Sequence, residues 1–186
     1  MNAFSDGVIA ILITILVLEL RPPPGHHLSD MLDEKGKLLA YALSFVMVGI
    51  YWNNHHHLMQ LVSTIDGRTL WANMHLLFWL SLMPLTTDWL GEAGVETGPV
   101  AAYSIVLLGS AIAYSVLTLV LLALHESGSQ LEQAIGRDRK GKVSLACYVL
   151  ALAFSFVLPW LSIGLIVAVA VIWLVPDRRV ERVLAG

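Results

Sequence analysis

Charged residues are scarce in this chain, and so are the residues from which several common kinds of site are built. Asp, Glu, Lys and Arg make up 13% of the 186 residues, against roughly 25% in an average soluble domain. The single cysteine, Cys147, cannot form a disulfide or a CxxC metal site within one chain. A net charge of −3 without any basic face argues against a nucleic-acid partner. No HExxH or GxSxG motif occurs, so we expect no enzymatic activity.

Apolar residues dominate instead, at 57% of the chain, with a mean hydropathy of +0.73. Uncharged runs long enough to enter a lipid bilayer alternate with short polar connections. We therefore predict an all-α membrane protein whose residues 1–186 form a single domain with six transmembrane helices. The approximate ranges of these helices are 4–20, 37–62, 69–90, 100–124, 143–158 and 161–175.

Two prolines determine where the predicted helices bend or end. Pro84 is expected to kink the third helix near its far end. Residues 143–175 are 33 uncharged residues and would be roughly 50 Å long as one helix, which is too long for a single span. Pro159 and the following Trp160 indicate a turn within this run. We therefore interpret the run as two short helices in a hairpin.

Lysine and arginine are distributed unevenly among the connections, and the positive-inside rule uses this to predict orientation. With a cytoplasmic N-terminus, eight of these residues lie on the inner side, namely Arg68, Arg137, Arg139, Lys140, Lys142, Arg178, Arg179 and Arg182. Three lie on the outer side, namely Arg21, Lys35 and Lys37. The sequence thus predicts a multi-pass protein of the cell membrane with both termini in the cytoplasm.

Asp6 lies in the first turns of a helix that is otherwise apolar, since no charge occurs from Gly7 to Leu18. A carboxylate at membrane depth is expected to face protein or water and marks a candidate functional site. A cleaved signal peptide is a poor alternative, because the segment has no positive n-region and no small-residue cleavage site.

Polar residues of three helices are expected at the same depth as this carboxylate. The second helix returns antiparallel to the first, and the third starts from the same side, so all three bring polar groups to one inner layer. Such groups are stable in a membrane only when paired, which predicts a network that joins the helices. The predicted structural network consists of Phe4, Ser5, Asp6, Trp52, Asn53, His55 and Asn73.

Three consecutive histidines, His55 to His57, suggest a metal site at first sight. Successive residues on a helix point about 100° apart, so three adjacent imidazoles cannot converge on one ion. We predict no metal site here. Hydrogen bonding between helices is the simplest role for these residues. Because histidine titrates near physiological pH, a proton relay through Asp6 and the three histidines remains open, in a proton-coupled secondary transporter or a proton-conducting channel.

The pattern FSDGV-x-AI-x-IT, from Phe4 to Thr14, together with Trp52-x-x-His55 late in the second helix, resembles the prokaryotic relatives of the endolysosomal potassium channel transmembrane protein 175. The resemblance implies a homotetramer of six-helix subunits in the lipid bilayer, in which the first helix lines a central pore for potassium ions. It implies no cofactor beyond the permeant ion. The family motif also has an arginine four residues before the phenylalanine, a position that would precede Met1.

A hydrophobic constriction in the first helix is a further implication of the resemblance. Ile11, Ile15 and Leu18 are spaced i, i+4 and i+7 and so share one stripe of the helix. The resemblance assigns this stripe to a gate and selectivity filter, since the TVGYG filter motif is absent. It also implies that Thr14, about 60° from Ile11 on the helix, offers its hydroxyl to the ion. Because nearly every neighbouring residue is apolar, the spacing alone does not select this face.

Three other classes of membrane protein are alternatives to a channel. A secondary transporter commonly contains an internal repeat with broken helices in matching positions, and no such repeat is evident here. A membrane metalloenzyme has no supporting motif. A purely structural membrane protein would use the polar layer only to hold its helices together.

Overall fold

The computed structural model describes residues 1–23, 25–27, 29–125, 130–135 and 138–174. Every regular element within these ranges is an α-helix, so the predicted all-α fold is confirmed. In chain order the helices are α1 (Asn2–Leu18), α2 (Asp30–Asp33), α3 (Lys35–Gln60), α4 (Gly67–Ser81), α5 (Met83–Ala93), α6 (Thr97–Leu124), α7 (Gln130–Ile135), α8 (Arg139–Ser155) and α9 (Pro159–Leu174).

The segment interpreted as one helix at 69–90 consists of two helices in the structure. α4 ends at Ser81 and α5 begins at Met83, with Leu82 between them. Pro84 lies in the first turn of α5. Because proline has no backbone N–H, it cannot donate to the last carbonyls of α4, and the first turn of a new helix is where it is tolerated.

Some of the sequence predictions concern residues outside the described ranges. These are residue 175, at the predicted end of the last helix, and four of the arginines counted for orientation, Arg137, Arg178, Arg179 and Arg182. The turn between α8 and α9 is described, and it occupies residues 156–158, immediately before Pro159.

The helices pack around α3 and α6. α6 contacts α4, α5, α8 and α9, while α3 contacts α1, α5 and α9. Close packing between α4 and α6 depends on Gly109, because a Cβ atom at this position would overlap the indole ring of Trp79. α1 packs against α3, α4 and α5. The first helix is therefore held at one side of the bundle rather than enclosed by it.

Much of the surface of the subunit is apolar. Among the described residues, one helix, Thr97–Leu124, is both long and apolar enough to cross a membrane by itself, and Asn2–Leu18 and Pro159–Leu174 are shorter apolar helices. Large hydrophobic side chains stand exposed, including Trp71 at 78% and Leu119 at 64%. Contiguous apolar surface of this kind is stable against lipid or another protein chain and unfavourable in water.

Candidate functional site

The first helix has one face that packs onto its own subunit. Its buried residues are Ser5, Ile9, Leu12 and Leu16. Their spacing of three or four positions places them along one side of an α-helix. This side faces α3, α4 and α5, and it combines three apolar residues with one polar residue, Ser5, near the N-terminus.

The opposite face of α1 carries the predicted pore-lining residues. Gly7, Ile11, Thr14 and Leu18 are exposed, with Ile11 at 58% and Leu18 at 76%. Ile15 is only partly exposed, because it lies about 40° around the helix from Ile11, toward the packed side. The subunit therefore leaves open the face that carries Ile11, Thr14 and Leu18, with Ile15 at its edge.

The hydroxyl of Thr14 has a defined orientation on this face. Its Oγ1 donates a hydrogen bond of 2.7 Å to the carbonyl oxygen of Ile11. Threonine in a helix often bonds backward in this way. Since the single proton of the hydroxyl is used within the helix, the remaining lone pairs of the oxygen point away from it, and this oxygen can act as an acceptor or as a ligand for a cation.

The carboxylate of Asp6 joins α1 to α3. Trp52 Nε1 donates a hydrogen bond of 3.0 Å to Asp6 Oδ1, and His56 Nδ1 lies 4.0 Å from Oδ2. The rings of Trp52 and His56 stack with centroids 5.6 Å apart. The side chain of Asp6 is 35% exposed, so the carboxylate lies at the rim of the helix contact rather than in the core.

A second set of hydrogen bonds joins three helices and is fully buried. Asn73 on α4 donates from Nδ2 to Ser5 Oγ on α1 at 2.9 Å, and its Oδ1 lies 2.8 Å from His55 Nε2 on α3. With the amide in this orientation, His55 Nε2 must carry a proton and donate. Ser5, His55 and Asn73 are each at most 2% exposed. Asn73 thus brings three of the predicted residues together, from α1, α3 and α4.

Two predicted members of the network lie outside it. Phe4 is 57% exposed. Asn53 is exposed as well, and its side chain makes no hydrogen bond to the residues that the structure describes. Asn53 follows Trp52 by one position and therefore points about 100° away from it around α3. A side chain at the same depth in the membrane does not join the network if it lies on a face of its helix that points away from the other members.

The three histidines of α3 turn in different directions. His55 is directed to Asn73, whereas His56 Nε2 lies 2.9 Å from Gln60 Nε2. His57 Nδ1 is buried without a hydrogen-bond partner among the described residues. In the described part of the chain, no three His, Cys, Asp or Glu side chains are grouped so that they could hold a metal ion.

The helix that carries Asn73 is fixed at its start by Asp66. Asp66 caps α4, because its Oδ1 accepts hydrogen bonds of 2.8 Å from both the backbone N–H and the hydroxyl of Thr69. These bonds favour the charged carboxylate and lower the pKa of Asp66 below its ordinary value of 3.8. The cap fixes the starting point of the helix that positions Asn73.

A further buried polar cluster was not predicted from the sequence. Ser44 Oγ lies 2.9 Å from the hydroxyl of Tyr103 and 2.7 Å from Thr87 Oγ1, and Thr87 Oγ1 also lies 2.7 Å from the carbonyl oxygen of Met83. The cluster joins α3, α5 and α6. Its members are single hydroxyl residues within apolar runs, which carry no recognisable sequence signal until the helices are paired.

Comparison with known proteins shows which family the chain is similar to. Residues 1–84 match the family described as the endosomal/lysosomal potassium channel TMEM175. A potassium channel of Chryseobacterium sp. (strain P1-3) is 50% identical over 184 residues, which cover 99% of this chain and 96% of that protein. A potassium channel of Chamaesiphon minutus is 31% identical over 185 residues, covering 91% of this chain and 90% of the other.

The fold also matches a solved structure. The crystal structure of a lysosomal potassium-selective channel TMEM175 homologue from Chamaesiphon minutus has a TM-score of 0.79 and 29% sequence identity to this chain, with 92% of this chain and 93% of that chain covered. The helical fold is that of a membrane channel. The chain belongs to the family of the endosomal/lysosomal potassium channel TMEM175. The predicted family resemblance is confirmed, and potassium channels are not a class of enzyme.

Proposed function

We propose that the chain forms a homotetrameric potassium channel of the cell membrane, in which α1 of each subunit lines a central pore. Membership of a potassium channel family supports the activity. Each subunit would cross the membrane six times, through α1, α3, the α4 and α5 pair, α6, α8 and α9. The excess of lysine and arginine on one side of these spans supports cytoplasmic N- and C-termini.

The open face of α1 is the main observation that supports a pore along this helix. The helix is anchored through one side, while Ile11, Thr14 and Leu18 remain exposed on the other. A pore on a four-fold axis would direct this face, with the Thr14 oxygen on it, at water and at neighbouring subunits rather than at lipid.

Gating would follow from the size of the side chains on this face. Rings of Ile11 and Leu18 from four subunits would form a constriction that excludes water when narrow and conducts when wetted. Ile15, at the edge of the open face, would join the constriction. A small rotation of α1 about its axis would change which side chains meet at the axis and would open or close the path.

Selectivity would arise from partial dehydration of the ion. Potassium is larger than sodium and loses part of its hydration shell at a lower free-energy cost. The Thr14 oxygen, whose proton is already donated to Ile11, would replace some of the lost water. We expect modest selectivity, because one ring of hydroxyl oxygens offers fewer ligands than a filter of backbone carbonyls.

The test replaces Ile11 by asparagine in purified channel reconstituted into liposomes. Ile11→Asn should wet the constriction and raise the sodium flux relative to the potassium flux. Ile112→Asn on α6 is a matched control, because Ile112 is also exposed, at 44%, but lies on a different helix. Unchanged permeability ratios in Ile11→Asn, or an equal change in the control, would contradict the proposed pore.

The same liposomes distinguish a channel from a proton-coupled transporter that uses Asp6 and His55 to His57. A channel passes potassium down its own gradient without a pH gradient, and its flux does not saturate at low concentration. Flux that requires a pH gradient and saturates would favour the transporter.

A further inference from the structure

The side of α8 that points away from the bundle is basic at the start of the helix and apolar along the rest. The helix packs against α6 and α9 through its other side, where the buried residues are Ser144, Tyr148, Ala151 and Ser155. The exposed residues of α8 are Arg139, Lys142, Val143, Ala146, Val149, Leu150, Ala153 and Phe154. At 100° per residue, these exposed positions lie within about 140° of the helix circumference. They form one continuous stripe, which we call the α8 stripe.

The apolar part of the α8 stripe has the length of one membrane leaflet. Val143 and Ala153 are ten positions apart, which is roughly 15 Å along a helix axis. The hydrocarbon core of a bilayer is about 30 Å thick, so one leaflet contributes roughly 15 Å. An acyl chain of a single leaflet can therefore lie along the stripe from Val143 to Ala153.

The basic end of the α8 stripe consists of Arg139 and Lys142. They are spaced i, i+3, so they are neighbours on the helix surface. Neither forms an ion pair with any residue that the structure describes. The carboxylate beside them, on Asp138, accepts a hydrogen bond of 3.0 Å from the backbone N–H of Gly141 and so caps the helix. Two neighbouring cations on one exposed face can contact the same phosphate group.

The position of Trp173 indicates that this end of α8 lies at the level of the lipid headgroups. Its Nε1 donates a hydrogen bond of 2.8 Å to Ser144 Oγ, and the ammonium of Lys140 lies 5.7 Å from the centroid of its ring. Tryptophan is enriched where a membrane meets water. Ser144 follows Lys142 by two positions, so the basic end of the stripe lies at the same depth as this indole.

We propose that the α8 stripe binds an anionic phospholipid of the inner leaflet. Its phosphate contacts Arg139 and Lys142, and one of its acyl chains packs along the stripe from Val143 to Ala153. Cations at the membrane surface favour a headgroup with a net negative charge over a zwitterionic one. The choice of leaflet rests on the proposed topology, but the binding does not depend on the pore. Because the test uses no ion flux, it can fail while the proposed channel activity stands.

The test titrates the purified full chain in neutral detergent with phospholipid and counts bound lipid by native mass spectrometry. The two lipids are dioleoyl phosphatidylglycerol, which is anionic, and dioleoyl phosphatidylcholine, which has the same acyl chains and a zwitterionic headgroup. We expect saturable binding of phosphatidylglycerol that is roughly tenfold tighter than that of phosphatidylcholine. Glycerol phosphate carries the charge of the headgroup without the acyl chains and should not displace the bound lipid.

Substitutions at the basic end test the assigned contacts. Arg139→Gln and Lys142→Gln should each weaken phosphatidylglycerol binding about fivefold, and the double variant about 30-fold, because each removes one cation from the headgroup. Binding of phosphatidylcholine should change much less. Lys142→Arg keeps the charge and should bind as the unmodified chain does. Lys35→Gln is the matched control, since Lys35 is an exposed cation at the start of α3 that follows Asp33 and Glu34, and it should leave lipid binding unchanged.

Several results would overturn the proposal. These are equal affinity for the two lipids, unchanged affinity in the double variant, and an equal loss in Lys35→Gln. Displacement of phosphatidylglycerol by glycerol phosphate would indicate a site for free anions instead. A double variant that loses its oligomeric state on size-exclusion chromatography but keeps its affinity for phosphatidylglycerol would assign the stripe to contact between copies of the chain. If the double variant does not fold, the single variants and the comparison of lipids on the unmodified chain decide.

Discussion

The side-chain amide of Asn73 donates a hydrogen bond of 2.9 Å to Ser5, which lies 68 positions earlier in the chain. The same amide also accepts from His55, so one residue connects three helices. Within a membrane, a hydrogen bond between helices contributes about 0.6 kcal/mol on average and up to about 1.7 kcal/mol. Asn73 therefore links α1, α3 and α4, and its bond to Ser5 adds to the bond between Trp52 and Asp6 in holding α1.

Replacing Asn73 by leucine should lower the free energy of unfolding by about 1 to 3 kcal/mol, because both bonds are lost and two buried partners remain unpaired. Thermal unfolding in detergent measures this. Asn53→Leu is the control, since Asn53 is exposed and should change stability little. Equal effects of the two substitutions would contradict the central role of Asn73.

Asp6→Ala should weaken assembly more than it changes ion preference. The substitution removes the acceptor of the Trp52 indole N–H, so α1 loses a contact that sets its tilt against α3. Size-exclusion chromatography should show loss of the proposed tetramer. Asp6→Asn retains an oxygen acceptor and should be milder. Normal assembly together with altered ion preference in Asp6→Ala would instead assign Asp6 to the ion path.

Gly109→Ala should destabilise the fold. The added methyl group would overlap the indole of Trp79, and overpacking of this kind costs about 1 to 3 kcal/mol. Gly49→Ala on α3 is a matched control, because no atom lies within 4 Å of a Cβ built at that position. Trp79→Leu should partly rescue Gly109→Ala if the clash is the cause. Thermal unfolding of the three single variants and of the Gly109→Ala, Trp79→Leu double variant measures how far the two substitutions depend on each other.

The cap of α4 should make stability depend on pH in the acid range. Because the folded-state pKa of Asp66 is lowered from 3.8, the stabilisation from its carboxylate is fully present above that value and is lost as the pH falls through the lower folded-state pKa. Asp66→Asn cannot titrate. The melting temperature of the unmodified chain relative to Asp66→Asn should therefore stay constant above pH 4 and decrease below it.

The depth of the polar residues in the bundle can be predicted from the sequence, but their hydrogen-bond partners cannot. The antiparallel arrangement of the helices placed Asp6, Trp52, His55 and Asn73 at one depth, and depth follows from position along the chain. Which neighbours face each other depends on rotation of each helix about its axis. In an apolar helix such as α3, no amphipathic pattern indicates that rotation, so the sequence could not show that Asn53 lies on an exposed face.

Which face of α1 is left open also depends on the rotation of the helix about its axis. Almost any set of residues from Val8 to Leu18 would form an apolar stripe, so the sequence could not select a face. In the structure Ser5, Ile9 and Leu16 are buried on one face, which leaves the opposite face open. The break between α4 and α5 was more predictable, since Pro84 cannot donate a backbone hydrogen bond wherever it lies. The Ser44, Thr87 and Tyr103 cluster required tertiary structure to be seen.

The docking of α1 through Ser5, Asp6 and its apolar face has a consequence for biogenesis. Asp6 and Ser5 bond to Trp52 and Asn73 of the same polypeptide, so these contacts of the helix can form as soon as one copy has been inserted. On the proposed assembly, four copies would meet by lateral diffusion as already folded bodies. Oligomer formation would then be governed by copy number in the bilayer rather than by a slow conformational step.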